Sequence, residues 1–306
     1  MQNKDPQKYL FVINPVSGKN SPDWREIINE HFKELPHSLE IFEMSGNNDT
    51  QKLLKENIVA VQPDRVIAVG GDGTLKMVAE TLLKTNIPMG IIPAGSANGM
   101  AKELEIPVDI DKAFEIIQGE NIKPIDLINI NDEICMHLSD IGLNAVLVKN
   151  FESSKTRGMW GYGKSVFKVL WNKQLMNVEI ACDNEKIRRK AFMVVIANAS
   201  KYGTGATVNP EGKLDDGLFE VVIIRRLALG QILKALFIHK PFNPEKIEVL
   251  TTTSTTITSR RRAHFQVDGE YMGKVNVIKA EIVHAQLRVI VPQPKEETGS
   301  NGKSVA

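Results

Sequence analysis

A chain of 306 residues is long for one hydrophobic core and suits two domains. A hydrophobic fraction of 42% and a charged fraction of 25% are ordinary for a globular protein, and a net charge of +1 supplies no field that would draw the chain to nucleic acid or, as a whole, to an anionic membrane. Two cysteines, Cys135 and Cys182, are too few for a disulfide framework and fit a reducing cytosol, and the first apolar run, residues 9–13, is too short for a signal or a membrane span.

Tyr9-Leu10-Phe11-Val12-Ile13 has the unbroken apolar character of a strand in a buried parallel sheet. Asn14-Pro15-Val16-Ser17-Gly18-Lys19 follows it. A plain loop accounts for these turn residues, but their place at the carboxyl end of a strand also makes them a candidate ligand loop. The G-x-x-x-x-G-K-[ST] spacing of a Walker A loop is absent. Trp24, Ile27, Ile28, Phe32 and Leu35 form a helical stripe, capped by Ser21 or Asp23. Residues 39–42 read as a second strand with Ser45 just beyond its end, and a helix is expected over residues 49–59.

Arg65-Val66-Ile67-Ala68-Val69 is a third strand, and Gly70-Gly71-Asp72-Gly73-Thr74 leads from it into a helix over residues 75–83. Glycines at a strand-to-helix turn permit φ > 0 and a close approach of ligand to main chain. The amides that open the helix favour an anion. A lone acid in such a loop is awkward for bare phosphate. It is accounted for by a divalent cation between acid and phosphate, or by an acid that orients a reacting hydroxyl. Residues 89–92 are the next strand, and the loop after it carries Gly95, Ser96 and Asn98, of which the last two can hydrogen-bond a nucleotide. Short helices over 100–104 and 111–117 precede a strand, residues 123–125, that Asp126 closes. Strands and helices alternate to this point, which predicts an α/β domain with a mainly parallel sheet over residues 1–126.

From residue 127 short runs of high β-propensity separated by turn signals predict an antiparallel β-rich domain reaching residue 284. Helical stretches at 161–171 and 227–239 interrupt it. The second carries Leu229, Ile232, Leu233, Leu236 and Phe237 on one side, for which core packing is a commoner use than membrane binding. Arg225-Arg226 and Arg260-Arg261-Arg262 read equally as solvated faces or as contacts to an anionic membrane surface. Residues 251–259 are Thr-rich and extended, 287–291 form a last strand, and 292–306 are a polar tail. Two acidic turns stand out: Lys213-Leu214-Asp215-Asp216-Gly217-Leu218 and Val267-Asp268-Gly269-Glu270. Asp-Gly commonly makes a hairpin turn, and the second of these also holds two carboxylates in a fixed relation.

The 70–74 loop, with Pro93-Ala94-Gly95-Ser96-Ala97-Asn98 downstream, resembles the diacylglycerol kinase catalytic-domain superfamily. That superfamily takes in diacylglycerol kinases, sphingosine and ceramide kinases, and bacterial YegS-like lipid kinases. The resemblance runs from about residue 9 to residue 291. It implies an NAD kinase-like first domain to which a strand at 285–291 returns. It also implies Mg²⁺-dependent transfer of the γ-phosphate of ATP to a lipid hydroxyl, of diacylglycerol or a sphingoid-like lipid. The enzyme would be cytoplasmic and peripheral to the membrane, with a homodimer as one assembly. The nucleotide positions it implies are Asn14, Pro15, Gly18, Lys19, Ser45, Gly70, Gly71, Asp72, Gly73, Thr74, Gly95, Ser96 and Asn98. Ser45 reads as well as a turn or cap serine.

By the same resemblance Asp72 serves the metal side of the site and Asp126 is a second acid cooperating with it. Glu270 is the general base on the lipid hydroxyl, and Asp268 is a supporting or metal-linked acid. Asp216, with the carbonyls of Lys213 and Leu218, matches a structural Mg²⁺ site, a plain hairpin turn being the alternative. The chain departs from the family at Gly99, where many bacterial diacylglycerol kinases have Asp, and at Lys76 and Met77, where Asn-Glu is common. Two other readings stand beside the lipid kinase: an NAD kinase-like enzyme acting on a soluble ribose, and a catalytically weak nucleotide-binding module.

Overall fold

A computed structural model describes residues 5–17, 22–46, 49–142, 145, 175–183, 185–198, 201–202, 206–207, 212–225 and 247–294. Gly18, Lys19 and Arg226, and the helical stretches expected at 161–171 and 227–239, lie outside the described residues. The first half contains β1 Lys8–Ile13, α1 Trp24–Phe32, β2 Ser38–Glu43, α2 Thr50–Val61, β3 Arg65–Gly70, α3 Asp72–Leu82, β4 Met89–Pro93, α4 Gly99–Glu103 and α5 Ile110–Ile117. Strands β2, β1, β3 and β4 lie side by side, all parallel.

Alternation along β1 sorts its side chains between two layers. Tyr9, Phe11 and Ile13 pack with Trp24, Ile28 and Phe32 of α1 and with Ala113, Phe114 and Ile117 of α5. Leu10 and Val12 pack on the other face with Leu54 and Ile58 of α2 and Leu75, Val78 and Leu82 of α3. Asp23 caps α1, accepting the Glu26 N–H at 3.1 Å. Helices on both faces explain why the strand is apolar at every position rather than at every second one.

The second half contains β5 Ile122–Ile130, β6 Glu133–Cys135, β7 Leu138–Gly142, β8 Met176–Cys182, β9 Glu185–Ala191, β10 Met193–Ala197, β11 Lys201–Tyr202, β12 Ala206–Thr207, β13 Phe219–Ile224, β14 Ile247–Thr252, β15 Ser254–Val267 and β16 Glu270–Ile290. Strands β14, β13, β10, β7, β15 and β16 follow one another in antiparallel order, and the β8–β9 hairpin extends from β15. The expected combination of an α/β unit with an antiparallel β-rich unit is what the chain forms.

Two expectations about strands change. The runs at 275–283 and 287–291 are one strand of 21 residues, β16, with an irregularity at Ala285, whose φ is +52°. Its far end lies antiparallel to β5 and meets β4 at Val289 and Met89, in parallel, so a single sheet passes through both units. Asp126 does not close a strand either; it lies inside β5. A buried acid mid-strand needs its charge matched. The Asp126 carboxylate is fully buried and accepts the Gly217 N–H and the Ala285 N–H, each at 2.7 Å, and pairs with the His284 ring at 2.7 Å. Asp126 thereby ties β5 to the irregularity in β16 and to the acidic turn before β13. Among the described residues no helix is long and apolar enough to cross a membrane.

Candidate active site

The three predicted phosphate loops meet at the carboxyl ends of β1, β3 and β4. The Asn14 side-chain amide donates to Thr74 Oγ1 at 3.1 Å, and the Ala94 N–H donates to the Gly70 carbonyl at 2.9 Å. None of Gly70, Gly71, Gly73 and Gly95 has a positive φ, so conformational freedom is not why they are glycine. Space is the reason at three of them. A β-carbon on Gly70 would meet the Thr74 side chain at 2.4 Å, and one on Gly95 would meet the Gly71 Cα at 2.5 Å. The two loops therefore touch main chain to main chain at Gly71 and Gly95. A β-carbon on Gly73 would meet nothing within 4 Å. The bare main chain there faces open space, as a loop that admits phosphate requires.

Asn98 closes its own loop: it sits at φ +51°, accepts the Gly95 N–H and donates to the Gly95 carbonyl, both at 2.9 Å. Pro15 and Ser96 are exposed. Ser45 is also exposed, and its hydroxyl pairs with that of Thr50, the first residue of α2, at 3.2 Å, which is the turn-serine use.

Asp72 opens α3 and reaches across to α4, accepting the Gly99 N–H at 3.0 Å and the Met100 N–H at 3.1 Å. The His137 ring lies beside Gly99, 3.4 Å from where a β-carbon would stand, which is ordinary van der Waals contact. His137 Nε2 is buried without a partner.

The Asp-Gly-Glu turn joins β15 to β16 and is held from several sides. The Asp268 carboxylate accepts three successive main-chain N–H groups, from Met136 at 2.8 Å, His137 at 3.0 Å and Leu138 at 3.1 Å. The Gln266 side chain accepts the Gly269 N–H at 2.7 Å and donates to buried Asp140. Asp268 and Gly269 take φ of +47° and +86°, the left-handed pair of a tight hairpin. Glu270 emerges from this rigid base with 58% of its side chain exposed, 3.6 Å from the ammonium of Lys76 on α3. The turn thus delivers the carboxylate of Glu270 to the helix that begins at the phosphate loop.

The acids that the sequence associates with a metal do not gather. Among the described residues no three His, Cys, Asp or Glu side chains are placed to hold a cation. Asp72, Asp126 and Asp268 each have main-chain N–H groups on their carboxylates. Asp216 accepts the Leu218 N–H at 3.0 Å, the side-chain-to-main-chain bond of an Asx turn, while its neighbour Asp215 pairs with Lys123 at 3.1 Å. The set expected at Asp216 is of another kind, one carboxylate with the main-chain carbonyls of Lys213 and Leu218.

Sequence reasoning overlooked Gln266, Asp140 and His137, which carry no motif. Lys76 was visible as a departure from the family pattern. Its ammonium is also 4.0 Å from Glu80, which accepts the Gln51 amide at 3.1 Å. Burial pushes the Glu80 carboxyl above the usual range; Lys76 and the Gln51 bond oppose this, and the nearby charges of Glu133 and Glu270 add to it. Between the ordinary value and the raised one, the folded protein holds a proton on Glu80 that the unfolded chain has released. This contribution to stability is complete below the ordinary glutamate range and is lost as pH rises through the raised folded value. Glu80→Gln is expected to remove that slope. Urea midpoints measured between about pH 4 and pH 7 should show wild type losing ground to the variant as pH rises; parallel curves would refute it.

Of the basic clusters, Arg260, Arg261 and Arg262 are exposed on β15, with Arg262 donating to the Lys274 carbonyl at 2.6 Å. Arg225 lies 4.0 Å from Glu248, which also pairs with Arg189 at 2.7 Å. A cleft of about 860 Å³, lined by Asn129, Asp132, Asp183, Thr255 and Lys279 among others, contains none of the predicted site residues.

Residues 8–130 match the family described as the diacylglycerol kinase catalytic domain, and residues 140–291 match the YegS C-terminal NAD kinase beta sandwich-like domain. The chain is 25% identical over 305 residues to a diacylglycerol kinase of Bacillus subtilis, covering 94% of this chain and 96% of that one. It is 28% identical over 283 residues to a diacylglycerol kinase of Staphylococcus saprophyticus, covering 87% and 89%. Two crystal structures from Bacillus anthracis share the fold. One has a TM-score of 0.77 at 23% identity, covering 94% of this chain and 95% of that one. The other, described as a diacylglycerol kinase, has a TM-score of 0.70 at 19% identity, covering 94% and 98%.

Proposed function

The chain belongs to the diacylglycerol kinase superfamily, and from that premise we propose that it transfers the γ-phosphate of ATP to the hydroxyl of a membrane lipid, diacylglycerol or a sphingoid-like lipid. The observation that carries this reading is the position of Glu270: an exposed carboxylate, on a braced turn of the second unit, beside the helix that starts at the phosphate loop. Phosphoryl transfer needs held phosphates and a nucleophile positioned in line, with help in losing its proton. The loops around Asn14, Gly73 and Gly95 hold the nucleotide, with open space over Gly73 for phosphate. Glu270 accepts the proton of the lipid hydroxyl. Asp72 keeps the opening of α4 against the loop that opens α3.

Mg²⁺ in this reading enters with the nucleotide, whose phosphates supply ligands. We place the enzyme in the cytoplasm, visiting the bilayer from its surface, with Arg260, Arg261 and Arg262 supplying a local, salt-sensitive attraction to anionic lipid. The test is an acceptor screen with labelled ATP: diacylglycerol and sphingosine in mixed micelles, with NAD as the soluble competitor. Labelled lipid, rising when anionic lipid is added, is the expected result. Labelled NADP without a lipid product would replace this reading with the NAD kinase-like one.

A further inference from the structure

We propose that Lys76 is a positioning residue for the proton acceptor, holding one oxygen of Glu270 so that the other is aimed at the attacking hydroxyl. This rests on the assignment of Glu270 as general base. Lys76 lies on α3, four residues after Asp72, and its side chain is only 7% exposed. Burying an ammonium costs several kcal/mol unless opposite charges meet it. Two carboxylates do: Glu80, one turn further along α3, at 4.0 Å, and Glu270, across the boundary between the two units, at 3.6 Å.

The two partners differ in what they can do. Glu80 is anchored on its own helix and by Gln51, and burial favours its protonated form. Each proton on Glu80 leaves Glu270 as the stronger counter-charge for Lys76. Glu270 has 58% of its side chain exposed, and among the described residues Lys76 is its ion-pair partner. The ammonium engages Oε2 and leaves Oε1 for the substrate proton. The main chain at Glu270 is fixed by the Asp268 and Gln266 contacts, and Lys76 adds the constraint on the side chain that those contacts cannot supply. The departure from the family's common Asn at this position is thereby given a task in this chain.

The experiment is a double-mutant cycle between Lys76 and Glu270, read on the full chain with the lipid acceptor established for wild type. Misplacing a reacting group by about 1 Å can cost roughly 100-fold, so loss of one restraint in Lys76→Met should lower kcat by roughly 10-fold, with KM for ATP unchanged. Lys76→Arg, which keeps the charge, should recover most of that loss. In the Glu270→Gln background, Lys76→Met should cost little more, because the group it positions is gone. Removing one partner of a buried ion pair leaves the other without its counter-charge and can itself destabilise, so the melting temperature of Lys76→Met is recorded as the control for folding, and Lys76→Arg, which keeps the charge, carries the comparison if Lys76→Met melts low.

Wild-type kcat in Lys76→Met, or losses that multiply fully in the double variant, would overturn the proposal while leaving Glu270 as the base. A raised KM for ATP with kcat intact would overturn it in favour of a phosphate-binding lysine. Near-normal kcat in Glu270→Gln alone would remove the assignment on which the proposal rests, and the proposal with it.

Discussion

Glu270→Gln is expected to lower kcat by about 10²- to 10⁴-fold, the usual cost of removing a general base, with affinity for ATP and melting temperature close to wild type. The substitution keeps the size of the side chain and a carbonyl oxygen for the Lys76 ammonium, so the contact at 3.6 Å has a replacement. With 58% of the side chain exposed, the variant buries no new unpartnered group. The loops proposed to hold phosphate belong to the other unit and touch each other at Gly71 and Gly95, away from this turn in sequence and in hydrogen bonding. Steady-state kinetics with lipid as the varied substrate, together with nucleotide binding and a thermal melt, separate the cases. A kcat near wild type would show that some other group takes the proton. A lowered melting temperature with weak ATP binding would show that the residue holds the structure instead.

The parallel half of the fold is legible because its signals are local. β1, β3 and β4 announce themselves as apolar runs, β2 as a mixed one with Leu39, Ile41 and Phe42, and the helices between them as stripes at helical spacing, since each buries its own face against an immediate neighbour in the chain. β5 reads short because an acid such as Asp126 looks like the end of a buried strand, and what keeps Asp126 in the strand is far away in sequence, at Gly217, His284 and Ala285. β16 reads as two strands for a similar reason, since the irregularity at Ala285 is held by Asp126, far away in sequence.

At the site, the sequence suggests freedom of φ for the glycines; the structure has no positive φ there, no room for a β-carbon at Gly70 and Gly95, and a tight approach at Gly71. Lys76 reads as a surface lysine on a helix until β16 is laid beside that helix. Such pairings join residues about two hundred positions apart, and no spacing rule within a single sequence records them.

Asp268→Ala, two residues from the proposed base, is expected to act on the opposite quantity: a large fall in melting temperature, with loss of activity following from it. The Asp268 carboxylate is the acceptor for three main-chain N–H groups, those of Met136, His137 and Leu138, and Met136 and Leu138 are buried. Leaving a buried donor without an acceptor costs about 1–3 kcal/mol each. Several such losses together are a large part of the roughly 5–15 kcal/mol that holds a typical domain folded. Backbone geometry adds to the cost, since φ of +47° suits Asp or Asn better than Ala. Asp268→Gly relieves the backbone but supplies no acceptor, so it should stay well below wild type. Asp268→Asn retains the backbone preference and one acceptor oxygen but turns an NH₂ group toward N–H donors, and should fall between wild type and Ala. Melting curves of the three variants, recorded in the absence of divalent ions, test the order. If Asp268 were instead a metal-linked acid, Asp268→Ala would melt with wild type under those conditions and lose only activity. That result would overturn the assignment of Asp268 as the anchor of the turn.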